Sequence, residues 1–153
     1  MILTNYMKTK KSKLTFVDLF CGAGGLSLGF EAKGFELLLA NDHDQHSIET
    51  FKKNRLDLEE KKIILGDVRS LDKNIGDIVR EGRQIDLIVG GPPCQGFSMA
   101  NRQRLINDPR NHLYGEFVKI VSRLQPRAFM MENVKGMLSV AEQVVDDFNK
   151  KGY

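Results

Sequence analysis

Short apolar runs alternate with helical stripes along this chain, and that alternation restricts the fold more than any other feature. Residues 14–20, 36–41, 62–65, the run Leu87-Ile88-Val89 after Asp86, and 128–131 read as five strands. Residues 26–33 and 44–55 read as helices, the second with Ile48 and Phe51 inward and Asp44 in its first turn. Leu71, Ile75, Ile78 and Val79 mark a third helical face, and Leu113, Phe117, Ile120, Val121 and Leu124 a fourth. Met137, Leu138, Ala141, Val144, Val145 and Phe148 stripe a last helix. Gly34 and Gly152 stand where C-capping glycines end helices, and Pro126 blocks a fourth helix from continuing. Five strands alternating with helices imply an α/β fold, a mainly parallel sheet covered on both faces. Right-handed crossovers then restrict the topology to a doubly wound, Rossmann-like sheet. Its ligand is expected across the carboxyl ends of strands one and four, where the winding reverses.

With 153 residues, one domain is expected. No apolar run approaches the ~20 residues of a membrane span. The N-terminus lacks the apolar core of a secretory signal, so a cytoplasmic location without membrane contact is expected. The net charge of +3 is local: Lys8, Lys10, Lys11 and Lys13 sit in an acid-free tail over residues 1–13, and the remaining body is close to neutral. That tail is expected to be flexible. Charge alone does not signal nucleic acid. Two cysteines make neither a disulfide framework nor, with His43, His46 and His112 scattered, a zinc site, so no metal is expected.

The chemistry gathers at the strand ends. Gly90-Gly91-Pro92-Pro93 stops strand four abruptly, and Cys94 follows at once, which makes its thiol a candidate nucleophile. The turn Cys21-Gly22-Ala23-Gly24-Gly25 after strand one lets a ligand approach the backbone closely. Asp42, about 20 residues on, is placed to accept both hydroxyls of a ribose, or else to cap the next helix. Asp67 can accept from an exocyclic amine such as that of adenine, or else simply form a turn. Glu132, at the end of strand five, can hydrogen-bond a base held near Cys94, and Asn133 can brace the neighbouring loop. Residues 99–110 form a long polar loop. Together these features suit a cofactor containing adenosine. The glycine spacing departs from Gly-x-Gly-x-x-Gly and suits an amino-acid tail better than a pyrophosphate, so S-adenosylmethionine leads over NAD.

The blocks Phe16-Val17-Asp18-Leu19-Phe20-Cys21-Gly22-Ala23-Gly24-Gly25, Gly91-Pro92-Pro93-Cys94-Gln95-Gly96-Phe97-Ser98 and Glu132-Asn133-Val134 resemble signatures of the DNA (cytosine-5)-methyltransferases, in the family's order. Asn41-Asp42, Gly66-Asp67-Val68 and the stretch from Asp108 to Leu113 resemble its intermediate blocks. The resemblance implies that Cys94 attacks carbon 6 of cytosine in double-stranded DNA while Glu132 bonds the ring nitrogen between carbons 2 and 4. It implies that Phe20 packs on the adenine of S-adenosylmethionine, Asp42 holds the ribose, Asp67 reads the adenine amine, and Gly22, Ala23, Gly24 and Gly25 hold the methionine part. His43, Val68, Gly91, Pro93 and Leu113 complete the implied cofactor contacts. Gln95, Ser98, Arg102 and Arg104 are the implied DNA contacts, in a loop that closes over an extruded base.

Two departures stand out. Many relatives carry Glu on the ribose with an aromatic residue after it, whereas this chain has Asp42 and His43. Relatives also continue with a further arginine block, a target-recognition region and a segment that closes the cofactor site. Residues 14–153 are therefore expected to be the N-terminal part of a catalytic domain, inactive alone. Strand five would then be a sheet edge, prone to self-association or poor order. The competing readings are a cofactor-binding module without catalysis and a methyltransferase acting on RNA.

Overall fold

A computed structural model describes residues 12–71, 75–80, 84–93 and 112–153. The basic tail up to residue 11 and the loop of residues 94–111 lie outside the described residues. The strands are β1 (Thr15–Leu19), β2 (Glu36–Asp42), β3 (Ile63–Leu65), β4 (Leu87–Gly90) and β5 (Ala128–Met131), and every pairing is parallel. Their order is β3-β2-β1-β4-β5, so the winding reverses between β1 and β4, as the alternation predicts.

The helices are α1 (Gly25–Ala32), α2 (Gln45–Lys53), α3 (Val68–Leu71), α4 (Ile75–Arg80), α5 (His112–Leu124) and α6 (Ala141–Asn149). They form two layers. Phe16, Leu37, Ala40 and Val89 face α1 and α2, where Ile48 and Phe51 are buried. Val17, Leu19, Leu38, Leu39 and Ile88 face α3 to α6. Leu38 and Leu39 share that face because the β1–β2 register shifts between Phe16 and Val17, a bulge that interrupts the alternation. Each fully buried large side chain, such as Phe16, Phe51 or Phe117, contributes about 1.5–3 kcal/mol of transfer free energy.

Local chemistry sets the helix ends. Phe35 N–H donates to Phe30 O at 3.1 Å and Gly34 N–H to Glu31 O at 2.9 Å, closing α1 in a Schellman motif. Gly34 takes φ +83°, and the rings of Phe30 and Phe35 meet at 5.4 Å. Asp44 caps α2 by accepting from Ser47 N–H at 2.7 Å, one residue before the helix rather than in its first turn. At β4, a Cβ on Gly90 would stand 2.4 Å from Leu19 O, so only glycine lets β1 and β4 approach this closely.

The expected last helix is corrected. Lys135–Val140 form a 3₁₀ helix, and α6 begins only at Ala141. Met137 and Phe148 turn inward, but Leu138 and Val145 are 70% and 57% exposed. The single stripe fails because the 3₁₀ turn advances three residues per turn, out of phase with the helix after it. Along the expected third helix, α3 buries Val68 and Leu71 and α4 buries Ile75 and Val79, while residues 72–74 and the side chain of Ile78 lie outside the described residues. Among the described strands β5 is an edge, with Met130 37% exposed. One face of β5 is covered, since Phe129 stacks on Phe148 at 4.0 Å and meets Tyr153 at 5.3 Å. Among the described residues no helix is long and apolar enough to cross a membrane.

Candidate functional site

The loops after β1, β2 and β3 meet at the carboxyl end of the sheet. β1 ends at Leu19, and Phe20 then adopts φ +58°, a left-handed conformation that costs a bulky residue about 1–3 kcal/mol. That backbone places Phe20 in the lining of a cleft of about 320 Å³. His43, Asp67, Val68 and Leu113, all singled out in the sequence, line the same cleft. Asn41, Gly66, Arg69 and His112 line it too.

The glycine turn lies beside this cleft and is tied to β2 through its backbone. Cys21 N–H donates to Asn41 O at 3.0 Å, and Gly24 N–H returns to Cys21 O at 2.9 Å. Gly22 and Gly24 have φ +54° and +93°, values that require glycine in a turn this tight. Gly22 N–H donates to Asp42 Oδ2 at 2.8 Å, while Asp42 Oδ1 accepts from Asp44 N–H at 2.9 Å. His43 Nδ1 stands 3.3 Å from Asp42 Oδ1. Asp42 thus orients the glycine turn. The helix-capping alternative for it is excluded, because Asp44 fills that role.

Asn41, which the sequence reading named without a role, braces the next loop. Its Nδ2 donates to Ile64 O at 3.0 Å and to Gly66 O at 2.9 Å. Its place directly before Asp42, on the opposite face of a strand end, is the signal that could have found it. Asp67 is held by Arg69: Oδ1 accepts from Arg69 N–H and Nε–H, each at 2.9 Å, and Oδ2 accepts from Nη2. The side-chain hydrogen bond from Arg69 is the largest cause that holds the Asp67 carboxyl down to about 2. An arginine two residues after the acid was the missed signal.

Asp18 lies beneath the turn with no solvent exposure. Ser27 Oγ donates to its Oδ2 at 2.5 Å, while Oδ1 is the one buried side-chain polar atom without a partner among the described residues. Burial raises the Asp18 carboxyl to about 6, against the opposing hydrogen bonds from Ser27 and the charge of Arg55. Burial, then the nearby Asp18 and Asp42, push the Cys21 thiol far above its ordinary range, so Cys21 is no nucleophile.

On the other side of the switch point, Glu132 N–H donates to Gly90 O at 3.0 Å. A Cβ on Gly91 would stand 3.1 Å from Glu132 Oε2, so the glutamate carboxylate lies against the start of the Pro-Pro loop. Asn133 Nδ2 donates to Pro92 O at 3.0 Å, the bracing expected of it. Gly22, Ala23, Gly24, Gly25, Asp42, Gly91 and Pro93 do not line the cleft itself. Cys94, Gln95, Ser98, Arg102 and Arg104 lie outside the described residues. Among the described residues no group of three His, Cys, Asp or Glu side chains could hold a metal ion.

With this geometry in place, the comparisons are specific. A family profile described as C-5 cytosine-specific DNA methylase matches residues 14–153. The chain is 41% identical over 145 residues to the Type II methyltransferase M.FnuDI of Fusobacterium nucleatum, covering 92% of this chain and 39% of that protein. It is 38% identical over 148 residues to M1.HphI of Haemophilus parahaemolyticus, again covering 92% and 39%. A crystal structure from E. coli, described as a DNA modification methyltransferase encoded within a prophage, superposes with a TM-score of 0.72 at 38% identity, over 90% of this chain and 37% of that one. The S. pombe Dnmt2 structure shares the fold, with a TM-score of 0.66 at 19% identity over 92% and 40%. The chain spans about two fifths of the length of the curated relatives it matches.

Proposed function

The chain belongs to the C-5 cytosine-specific DNA methylase family, and from that premise we propose that it carries the cofactor half and the nucleophile of an enzyme that methylates carbon 5 of cytosine in double-stranded DNA. The observation that carries this reading is the carboxyl end of the sheet. Phe20 and Asp67 line one cleft there, Asp42 orients the glycine turn beside it, and Glu132 lies against Gly91 on the far side of the switch point.

The residues fit S-adenosylmethionine. The Phe20 ring offers an apolar face for adenine, with Val68 and Leu113 in the same lining. Asp67 is an ionised acceptor for the adenine amine. Asp42 supplies a carboxylate for the ribose, and the turn from Gly22 to Gly25 admits a narrow amino-acid tail. When bound, S-adenosylmethionine supplies the methyl group that carbon 5 acquires.

The protein's own residues act on the base. The Cys94 thiolate adds to carbon 6, forming a carbon–sulfur bond and making carbon 5 nucleophilic. Glu132 hydrogen-bonds the ring nitrogen and stabilises the charge that develops there. After methylation, loss of the carbon-5 proton expels Cys94 and restores the ring double bond. Gln95, Ser98, Arg102 and Arg104 are proposed to contact the DNA, on sequence alone. The Type II names of the relatives support a role paired with a restriction endonuclease.

Labelled-methyl transfer to cytosine-containing DNA tests the reaction, and trapping on 5-fluorocytosine DNA tests Cys94. Trapping that persists in Cys94→Ser would remove the nucleophile assignment. A second reading is favoured by the two-fifths coverage: residues 14–153 form a cofactor-binding part that needs further polypeptide for transfer. Cofactor binding without transfer, with transfer appearing once the remaining polypeptide is supplied, distinguishes it. The partly exposed edge of β5 supports self-association by strand pairing. A sedimentation coefficient independent of concentration would remove that element.

A further inference from the structure

Arg55 follows α2 and is not among the residues assigned to the cleft, yet its side chain is only 9% exposed. An arginine this buried requires partners, and it has three. Its Nε donates to Glu31 Oε2 at 2.9 Å, its Nη2 donates to Gly24 O at 3.0 Å, and its guanidinium lies 4.0 Å above the Phe51 ring. Glu31 sits near the end of α1, and Gly24 is the residue that caps its start, with no side-chain cap of its own. The guanidinium of Arg55 therefore joins the Glu31 side chain of α1 to the Gly24 carbonyl on the glycine turn.

We propose that Arg55 is the positioning residue of that turn for the amino-acid portion of the cofactor, an inference that rests on the S-adenosylmethionine reading above. Besides the backbone tie of Cys21 N–H to Asn41 O, two side chains hold the turn to the β2–α2 unit. Asp42, before α2, accepts from Gly22 N–H at 2.8 Å, and Arg55, after α2, donates to Gly24 O. Helix α2 lies in the chain between the two tying residues. A ligand that touches the turn with its amino-acid end and Asp42 with its ribose needs both ties in register. The adenosine end rests on Phe20 and Asp67, which Arg55 does not touch. Packing excludes other residues from this contact: a Cβ on Gly24 would meet Arg55 Nη1 at 2.5 Å and Phe51 Cδ2 at 2.7 Å.

The test compares two probes by calorimetry. S-adenosylhomocysteine carries the amino-acid part, and 5′-methylthioadenosine lacks it. Arg55→Met keeps the packing on Phe51 and should weaken S-adenosylhomocysteine about tenfold while leaving 5′-methylthioadenosine unchanged. Arg55→Lys should do the same, because one ammonium cannot reach both Glu31 and Gly24 O. Equal weakening of both probes, no change in either, or full rescue by lysine overturns the proposal. Amide exchange without ligand is the second measurement. Arg55→Met should speed exchange over residues 24–28 about tenfold and leave β5 unchanged, and unchanged exchange at the turn overturns the proposal. If the wild-type chain binds neither probe, the cofactor reading fails, and the exchange measurement alone decides Arg55.

Discussion

The loop after β1 and the loop after β3 each lie near an aspartate at the same end of the sheet, but they are held in opposite ways. The first is buried and tied by backbone groups: Gly22 N–H to Asp42, Gly24 O to Arg55, Cys21 N–H to Asn41 O. The acid beneath it, Asp18 in β1, is out of water, and burial raises its carboxyl to about 6. The second is open, and its acid, Asp67, is held by the exposed guanidinium of Arg69, which lowers its carboxyl to about 2. Distance from water, more than residue type, sets what an aspartate does at this end of the sheet. A buried acid orders the backbone at a cost in stability, and an exposed one remains ionised and open to a ligand.

The largest expected effect comes from filling the first loop. Gly24→Val combines a β-branched residue at φ +93° with contact on Arg55 and Phe51, and should cost about 4 kcal/mol in urea unfolding. A loss below about 1 kcal/mol would mean that the turn is not closely packed.

The next separates the two acids by pH. Asp18 has a folded value of about 6 against 3.8, so the folded state holds its proton longer than the unfolded state does. Its contribution is fully present below about 4 and is lost as pH rises towards 6, a difference of about 3 kcal/mol. Asp67 has the opposite sign: its stabilisation is present above about 4 and is lost as pH falls towards 2. Asp18→Asn should therefore flatten the decline in stability between pH 4 and 6, measured as the wild-type-minus-variant difference. An unchanged slope would contradict the buried, proton-holding carboxyl.

Asp42→Ala strips the acceptor from both Gly22 and Asp44 N–H groups. It should cost about 2 kcal/mol and remove binding of S-adenosylhomocysteine. Retained binding would remove Asp42 from the cofactor site. The smallest effect belongs to the open loop. Arg69→Ala should lower the melting midpoint slightly at low salt and not at all at high salt, since exposed pairs are screened. A large, salt-independent loss would place Arg69 in the structural frame instead.

Much of the site was legible because strand ends are punctuated by residue type. Glycines and prolines stop β1 and β4, and acids stand at the ends of β2, β3 and β5, so Asp42, Asp67 and Glu132 could be placed from order alone, whereas Phe20 was singled out by the family resemblance. The last helix was less legible. Its six apolar residues satisfy a helical stripe, but a stripe does not distinguish a continuous helix from a 3₁₀ segment followed by one, and Leu138 and Val145 face water. Arg55 was missed, and Asn41 was named without a role, because polar residues that bond backbone carbonyls leave no periodic signature.

Residue pattern along the chain dictates the alternation of strands and helices, and through it the parallel sheet, the switch point and the edge at which the acids gather. Those follow from local pattern and from the handedness of crossovers, which do not depend on distant contacts. Tertiary packing settled which polar groups meet across 20 to 31 residues: Gly22 with Asp42 and Gly24 with Arg55. It also decided which acid lost its water. Partner choice and desolvation depend on the packing of α1 and α2 against β1 and β2, which no single stretch of chain encodes.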